Sequence, residues 1–444
     1  MTPKEGITLL RQKLNSSDLA RRMATGAFWS FFGTVAARLL TLVAGIVCAR
    51  LLGKEQYGEF GMVRSTIYMF IAFGSMGIGL MATKYISEFR GKDPARVVSV
   101  YTLSNIFALC AGVLISAAIL LSAPYLAEHN LHSPQLAGPI RLGALFLFVT
   151  VLNGAQDGTL GGFENFRAIA INNFIGSVVE SVLMLVGAYY HGVGGAILGY
   201  GLGYCAIFVA NQVSIRKNFR ALGVHTLRRN FFRKDIKLLY TFCLPAALAG
   251  ILVAPTLWVA RSMLVRSDGF GQLAIFEAAD QWKNLILFVP TTVNQIVLPI
   301  LSSVQGSNQR QFWKVLNFNL LLNAAVAVLA VLVVAFFSPY IMKLYGRDFT
   351  DHVTMIILAV SAIFTCVGNV VGLSIASRAK MWIGFGFNAV WAVLYLAFAW
   401  LFLQWRMGAS GLAWALLVAY FLHTVIQYAY LRRTARVKDI TETP

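Results

Sequence analysis

Residues 19–65 read LARRMATGAFWSFFGTVAARLLTLVAGIVCARLLGKEQYGEFGMVRS, and they contain the pattern that defines the class of fold. Its apolar part, residues 26–49, carries a single charge, Arg38. About 20 consecutive apolar residues are enough for a helix to cross the hydrocarbon core of a membrane. A second apolar run begins at residue 60, after a polar turn that contains Gly53 and Gly58. The stretch therefore predicts two transmembrane helices joined by a short turn.

The composition of the whole chain agrees with this start. The 444 residues are 58% hydrophobic and 12% charged, and the mean hydropathy is +0.69, which lies outside the range of soluble proteins. The apolar residues fall in blocks along the entire chain, and the longest polar connection, 216–237, is too short to fold as a domain. The composition excludes both a soluble protein and a soluble enzyme with one membrane anchor.

Twelve apolar windows of spanning length occur along the chain, and 140–157 is the weakest of them. They are residues 26–49, 60–82, 97–122, 140–157, 168–190, 192–215, 238–260, 272–301, 315–338, 353–377, 381–405 and 407–431. We therefore predict an all-α integral membrane protein with twelve transmembrane helices.

The basic residues test this topology. With twelve spans and a cytoplasmic start, the predicted inner segments carry 26 Lys and Arg residues and the outer segments carry 7. Retained cytoplasmic loops have such an excess, so both termini are predicted to be cytoplasmic. The net charge of +19 thus reflects topology, and no nucleic-acid partner is predicted. The run GTLGG at 158–162 lacks the Lys-Ser/Thr of a P-loop, so no nucleotide is predicted either.

The two halves of the chain are related as repeats. Residues 57–64, YGEFGMVR, align without a gap to residues 270–277, FGQLAIFE, and both follow an Ala-Arg pair. Six spans in each half give two pseudo-symmetric six-helix lobes of equal orientation, with a substrate route between them. The predicted parts are a cytoplasmic leader 1–25, an N-terminal lobe 26–215, a basic cytoplasmic linker 216–237, a C-terminal lobe 238–431 and a cytoplasmic tail 432–444.

Ionisable residues inside the predicted spans are the candidate functional residues. A charge at the membrane centre costs about 2.5–3.5 kcal/mol on insertion scales, so it must face a partner or a water-filled cavity. Apart from Arg141 and Asp157 at the two ends of the weakest span, the charged residues are Arg38, Arg64, Glu180, Glu277, Asp280 and Lys283. Arg261 is a further candidate, which the predicted boundaries place at the outer end of span seven. No catalytic group, metal site or disulfide framework is predicted from the scattered histidines and five isolated cysteines.

Two interpretations of these charges remain open. In the first, Arg64 pairs with Glu277 across the lobes, Asp280 or Glu180 neutralises Arg38 or Lys283, and the set only holds the bundle together. In the second, the basic residues line a cationic pocket that binds an anionic headgroup, because Arg donates bidentate hydrogen bonds to phosphate. The acids would then serve as a gate or as a site for a coupling ion.

The motifs of the opening stretch support a resemblance to a known family. The W-S-F motif, the Arg within the first span and the turn A-R-L-L-G-x-x-x-Y-G-x-F resemble O-antigen and polysaccharide flippases. These belong to the polysaccharide transporter branch of the multidrug/oligosaccharidyl-lipid/polysaccharide exporter superfamily. The later runs TLWVARSMLV and AADQWKNLILFVPTTVNQIVLPILS look like the same family, and the resemblance covers residues 20 to about 430.

The resemblance implies two six-helix lobes in a V shape and alternating access. It implies translocation of a polyprenyl-pyrophosphate-linked oligosaccharide across the plasma membrane for O-antigen, capsule or exopolysaccharide synthesis. Basic groups would line the cavity. Arg38, Arg64 and Lys283 match this role by position, and Arg261 matches it less well because it is predicted at the outer end of its span. No cofactor is implied beyond a coupling ion, H⁺ or Na⁺.

The partners implied are the lipid-linked oligosaccharide, membrane lipids, a polysaccharide polymerase and glycosyltransferases, in a bacterial or archaeal plasma or inner membrane. Two alternatives stay open. One is a cation-coupled drug exporter of the same superfamily, which Arg38 in the first span disfavours. The other is a membrane polymerase or ligase that acts on lipid-linked glycans, which the short outer loops disfavour. The sequence therefore favours a non-enzymatic flippase.

Overall fold

The computed structural model describes residues 18–75, 77–223, 233–237, 243, 251–304, 309–377 and 381–441. These residues form α-helices throughout, with short π- or 3₁₀-helical turns at Leu126–Asn130, Pro134–Leu136 and Arg233–Ile236, and no strand occurs among them. The helices are α1 (Asp18–Ser75), α2 (Ile78–Phe89), α3 (Pro94–Tyr125), α4 (Ala137–Gly162), α5 (Phe166–Ala221), α6 (Val253–Asp268), α7 (Phe270–Val304), α8 (Gln309–Tyr345), α9 (His352–Ser377), α10 (Met381–Gln404) and α11 (Gly408–Thr441).

Two of these helices are too long to be single spans. α1 and α5 contain 58 and 56 residues, and each is interrupted by glycine, at Gly53 (φ 75°) and at Gly192 (φ 56°). Positive φ is readily adopted only by glycine, so the chain can reverse direction there without steric strain. Gly269, between α6 and α7, has nearly the same backbone conformation as Gly53, φ 84° and ψ 177° against φ 75° and ψ 173°. The equivalent turns of the two repeats are therefore built alike.

The described helices account for eleven of the twelve predicted spans and for the end of the twelfth, 238–260. Among the described residues, eight helices are long and apolar enough to cross a membrane. Two of these eight, Phe31–Ser75 and Phe166–Ala221, supply two spans each because of their breaks. α7 supplies one more, and α6 covers the end of the predicted span 238–260, of which 238–242 and 244–250 lie outside the described residues. The predicted all-α membrane fold is confirmed.

Side-chain and backbone polarity set the local boundaries. α3 begins where Asp93 accepts hydrogen bonds from the backbone N–H groups of Ala95 (3.1 Å) and Arg96 (3.2 Å), with Pro94 at its first position. α5 is capped in the same way, because Asn165 accepts from the N–H of Ala168 at 3.2 Å. Both caps lie on connections that the positive-inside count places at the cytoplasmic side.

The predicted segment limits differ from the helices in several places. α4 continues to Gly162 and α6 to Asp268, beyond the predicted ends at 157 and 260. α5 and α11 run to Ala221 and Thr441, so the first residues of the predicted linker and most of the predicted tail are helical extensions of spans. Residues 1–17 of the leader and 224–232 of the linker lie outside the described residues, and the division into two lobes at the linker stays a prediction.

The apolar cores show how the two halves meet. One large cluster of buried residues contains side chains of both halves, and Tyr57, Phe60, Tyr345 and Phe349 belong to it near the predicted outer end. Two smaller clusters lie near the predicted inner end, each confined to one half. They contain Ala82, Ile86, Val97, Phe219 and neighbours in the first half, and Phe312, Leu316, Val370, Leu431 and neighbours in the second. The halves thus share a core at the outer end and have separate cores at the inner end.

Candidate functional site

A cavity of about 520 Å³ lies between the two halves. The second half of α1 and both parts of α5 contribute to one wall, and α6, α7 and α11 contribute to the other. Its charged and hydroxyl-bearing aromatic lining residues are Arg64, Tyr68, Glu180, Tyr200, Tyr204, Arg261, Glu277, Asp280, Lys283 and Tyr420. Six of the seven candidates predicted from sequence therefore line one cavity, and the seventh, Arg38, does not.

Four of these charges form a buried chain of ion pairs, in which Arg261 joins Glu277 to Asp280 and Asp280 also pairs with Lys283. The guanidinium of Arg261 donates to Glu277 Oε1 at 2.6 Å and to Asp280 Oδ2 at 3.2 Å, and Lys283 Nζ donates to Asp280 Oδ1 at 2.6 Å. The side chains are only 5–12% exposed. Glu277, Asp280 and Lys283 are spaced by three residues, so they share the face of α7 that is turned toward α6.

The position predicted for Arg261 at the outer end of its span is wrong. α6 continues for seven residues beyond it, to Asp268, which places Arg261 about 10 Å inside the helix end at 1.5 Å per residue. The predicted boundary stopped at the first charge of an otherwise apolar run. That charge is satisfied within the protein by two carboxylates, so Arg261 is a central member of the site.

One ion pair of the cluster joins the two halves of the chain. Arg64 Nη2 donates to Glu277 Oε2 at 3.1 Å, so Glu277 receives one arginine on each oxygen. Gly61 makes this approach feasible, because a Cβ there would lie 2.8 Å from Glu277 Cγ. The contact predicted between these equivalent repeat positions is present.

Arg38 lies beside the cluster and is not part of it. It lines a neighbouring cavity of about 260 Å³ together with Arg64 and Asn284. Its guanidinium donates to the backbone oxygen of Asn284 at 3.1 Å and lies 4.8 Å from the ring centre of Phe288. Within the described part of the chain it has no carboxylate partner, and its side chain is exposed. Arg38 is thus the basic candidate available to an incoming anion.

Glu180 is the corresponding acid. It lines the central cavity opposite the ion-pair chain, and no hydrogen bond or ion pair involves it in the described residues. The close approach of Gly203, whose Cβ would lie 2.4 Å from Glu180 Cβ, fixes the helix on which it stands. Tyr200 and Tyr204, whose hydroxyls are 3.0 Å apart, line the cavity beside it. The formal charges of the central cavity balance, three basic against three acidic.

Contacts between the halves close the cavity at the predicted outer end. Gly58 lies against the backbone of Phe270, since a Cβ there would be 2.0 Å from the carbonyl oxygen of Phe270. Gln281 donates a hydrogen bond to the Tyr57 hydroxyl. Arg266 donates to the backbone oxygen of Asn130 at 2.7 Å. In this conformation the route is therefore blocked on the side where the repeat turns meet.

The sequence did not reveal a second polar cluster, in the first half of the chain. Asp157 accepts a hydrogen bond from Asn211 at 2.9 Å, and Asn211 accepts one from Asn172 at 2.8 Å. The predicted span ended at Asp157, but α4 continues to Gly162 and keeps this carboxylate inside the bundle. The sequence feature that could have revealed this cluster is the presence of amide side chains at intervals along otherwise apolar helices. Among the described residues, no group of three or more His, Cys, Asp or Glu side chains is arranged to hold a metal ion.

Several solved transporter structures share this fold. An inward-facing multidrug resistance MATE transporter matches with a TM-score of 0.83, at 18% identity over 92% of this chain and 96% of its own. An outward-facing MATE structure matches at 0.71 (17% identity; 94% and 96%). A Pyrococcus furiosus transporter, described as having a binding pocket of reverse polarity, also matches at 0.71 (18% identity; 95% and 96%).

The chain belongs to the polysaccharide biosynthesis protein family, whose model matches residues 23–305. Two curated relatives are both named EPS I polysaccharide export inner membrane protein EpsE. The protein of Ralstonia solanacearum is 26% identical over 399 residues, and that of Ralstonia nicotianae is 26% identical over 404 residues. Each alignment covers 87% of this chain and 88% of the relative.

Proposed function

We propose that this protein is a flippase that moves a polyprenyl-pyrophosphate-linked oligosaccharide from the inner to the outer leaflet of the plasma membrane, for the synthesis of a surface polysaccharide. The observation that carries the proposal is the cavity between the halves, with Arg38, Arg64, Arg261 and Lys283 at or beside it and its predicted outer end closed. Membership of the polysaccharide biosynthesis family and the export function named for the EpsE relatives support the same substrate class.

The pairing of the charges suggests the order of events. Arg38 has no acidic partner among the described residues, so it makes the first contact with the pyrophosphate. The pyrophosphate then competes with Glu277 and Asp280 for Arg64 and Arg261, because charged oxygens bind the planar guanidinium fork in the same bidentate manner. The displaced carboxylates can take a coupling H⁺ or Na⁺.

Loss of the Arg64–Glu277 contact removes a link between the halves at the closed outer end. The equilibrium then shifts toward an outward-open form in which the substrate is released. Such a shift requires that the substrate bind one conformation more tightly than the other. A substrate that competes successfully with the carboxylates for the arginines meets this requirement. Alternating access is thereby tied to occupancy of the cavity by an anion.

Arg38 provides the sharpest test of this proposal. In cells that depend on this protein for export, Arg38→Ala should abolish surface polysaccharide, and lipid-linked oligosaccharide should accumulate at the cytoplasmic face. Arg38→Lys should restore export in part, because it keeps the charge and loses the planar fork. Arg141→Ala removes an exposed arginine of α4 and serves as the matched control. Normal export by a well-expressed Arg38→Ala protein would contradict the proposal.

A cation-coupled drug exporter is the second candidate, and one observation favours it. Glu180 is an acid that makes no hydrogen bond or ion pair in the described residues, and it lies on the wall of a cavity large enough for a drug-sized cation. Expression of the protein in a drug-sensitive host distinguishes the two. Resistance to cationic drugs that is lost on substitution of Glu180 and unchanged on substitution of Arg38 would support the drug exporter. Partners such as a polymerase and glycosyltransferases, and cytoplasmic termini, belong to the flippase proposal.

A further inference from the structure

A second cavity of about 680 Å³ lies in the second half of the chain, in a groove between α9 and α11 with one residue of α8 at its edge. Its walls are apolar, and Ile363, Val367, Phe421 and Val425 contribute to them. The polar side chain of Thr424 is satisfied within the protein, since it donates to the backbone oxygen of Phe364 at 3.0 Å. Thr424 thus presents no unsatisfied hydroxyl to the apolar wall of the groove.

The groove is on a different side of α11 from the central cavity. Leu416 and Tyr420, one turn apart, line the central cavity, whereas Phe421 and Val425, also one turn apart, line the groove. Phe421 and Val425 are 44% and 50% exposed. The groove therefore faces the surroundings of the protein and is separate from the route between the halves.

Two arginines stand at one end of the groove. Arg432 and Arg433 line its mouth, both are exposed, and neither has an ion pair or hydrogen bond within the described part of the chain. From Phe421 to Arg432 the helix rises about 16 Å at 1.5 Å per residue. This is about half of the 30 Å hydrocarbon core, which is the depth of one leaflet. An acyl chain in the groove would thus bring its headgroup to the arginines.

We propose that this groove binds one anionic glycerophospholipid of the cytoplasmic leaflet, with an acyl chain along α11 and the phosphate held by Arg432 and Arg433. Adjacent guanidinium groups suit a phosphate because they donate several charge-assisted hydrogen bonds. Basic pockets between transmembrane helices at the cytoplasmic side bind anionic headgroups in this way. The lipid acts as a bound component of the second half, on the far side of α11 from the transported substrate.

The test is a titration of the delipidated full-length protein with phosphatidylglycerol or phosphatidylethanolamine, followed by native mass spectrometry. The wild-type protein should retain one phosphatidylglycerol in preference to phosphatidylethanolamine. Removal of both charges in Arg432→Gln/Arg433→Gln should weaken that binding by about thirtyfold. Arg216→Gln/Lys217→Gln removes two exposed charges at the end of α5 in the first half and should leave it unchanged. Equal loss in both double variants would overturn the proposal.

Two further measurements separate a specific site from general surface charge. Val425→Trp fills the groove and keeps both arginines, so it should also abolish retention of phosphatidylglycerol. Arg432→Lys/Arg433→Lys keeps the charge and should bind more tightly than the glutamine variant, which excludes misfolding as the cause. Retention by Val425→Trp at the wild-type level would refute the groove. Preferential retention of polyprenyl phosphate over phosphatidylglycerol would refute the glycerophospholipid assignment.

Discussion

The ion pair between Arg64 and Glu277 is expected to hold the halves together at their closed end, and a double-mutant cycle can measure this. The variants are Arg64→Gln, Glu277→Gln and the combination of both. Glu277 keeps Arg261 at 2.6 Å when Arg64 is replaced, so no buried carboxylate is left without a partner. The effect of Arg64→Gln should therefore appear in the balance between conformations more than in folding stability.

The magnitude follows from the contact that is lost. A hydrogen bond to a charged group contributes about 1.5–3 kcal/mol, and Arg64 is 26% exposed at a distance of 3.1 Å from Glu277. If the pair exists only in the closed form, its loss shifts the ratio of closed to open molecules about 10- to 150-fold toward the open form. The double variant should cost little more than Glu277→Gln alone, because Glu277→Gln already removes the contact with Arg64 together with the ion pair to Arg261.

A distance between two spin labels reports this balance. Labels at His132 and Asp348, exposed residues of the predicted outer loops of the two halves, are introduced in a cysteine-free background. Arg64→Gln should increase the population with the longer distance. Arg141→Gln, which removes an exposed arginine of the same half, should not. Additive effects of the two single variants, or an unchanged distance distribution in Arg64→Gln, would refute a closing contact.

Charge reversal distinguishes this site from an isolated pair. For two partners alone, Arg64→Glu combined with Glu277→Arg would restore the contact. Here Arg261 lies 2.6 Å from the same carboxylate, so the reversed site would place two guanidinium groups against each other. We therefore expect the reversed double variant to export no better than the single variants. Recovery of export would mean that Arg261 does not share Glu277 during transport.

Two other predictions concern the closed end and the topology. Gly58→Ala should impair closure at the outer end and reduce export, because its Cβ would lie 2.0 Å from a carbonyl oxygen of α7. Gly138→Ala is the control and should export normally, since there is open space at its Cβ. Equal export by both variants would contradict a close contact at Gly58. A single cysteine at His132 should be labelled from outside the cell, whereas a single cysteine at His225 should be labelled only after permeabilisation. Labelling of both positions from the same side would refute the twelve-span topology. His225 lies outside the described residues.

The membrane fold, the spans and most of the candidate charges are predictable from the amino-acid sequence. Spanning helices are local features, because each must satisfy its backbone hydrogen bonds within one apolar segment, and composition reveals such segments directly. The cost of a charge in the hydrocarbon core made Arg38, Arg64, Lys283 and the acids visible one by one. The repeat alignment also identified Arg64 and Glu277 as equivalent positions, which lie 213 residues apart in the chain.

The pairing of the charges depends on the folded bundle. The central position of Arg261 depends on two carboxylates of the next helix, and the half-buried Asp157 depends on an amide of α5. A hydropathy window ends at such a residue because it treats every charged side chain as exposed to water. In the folded bundle, another segment supplies a hydrogen-bond or ion-pair partner, so the charged side chain can lie within the protein. The absence of a carboxylate partner for Arg38 among the described residues likewise follows from how the helices pack, and so does the groove beside Arg432. Pairing and cavities arise between segments, and no single segment encodes them.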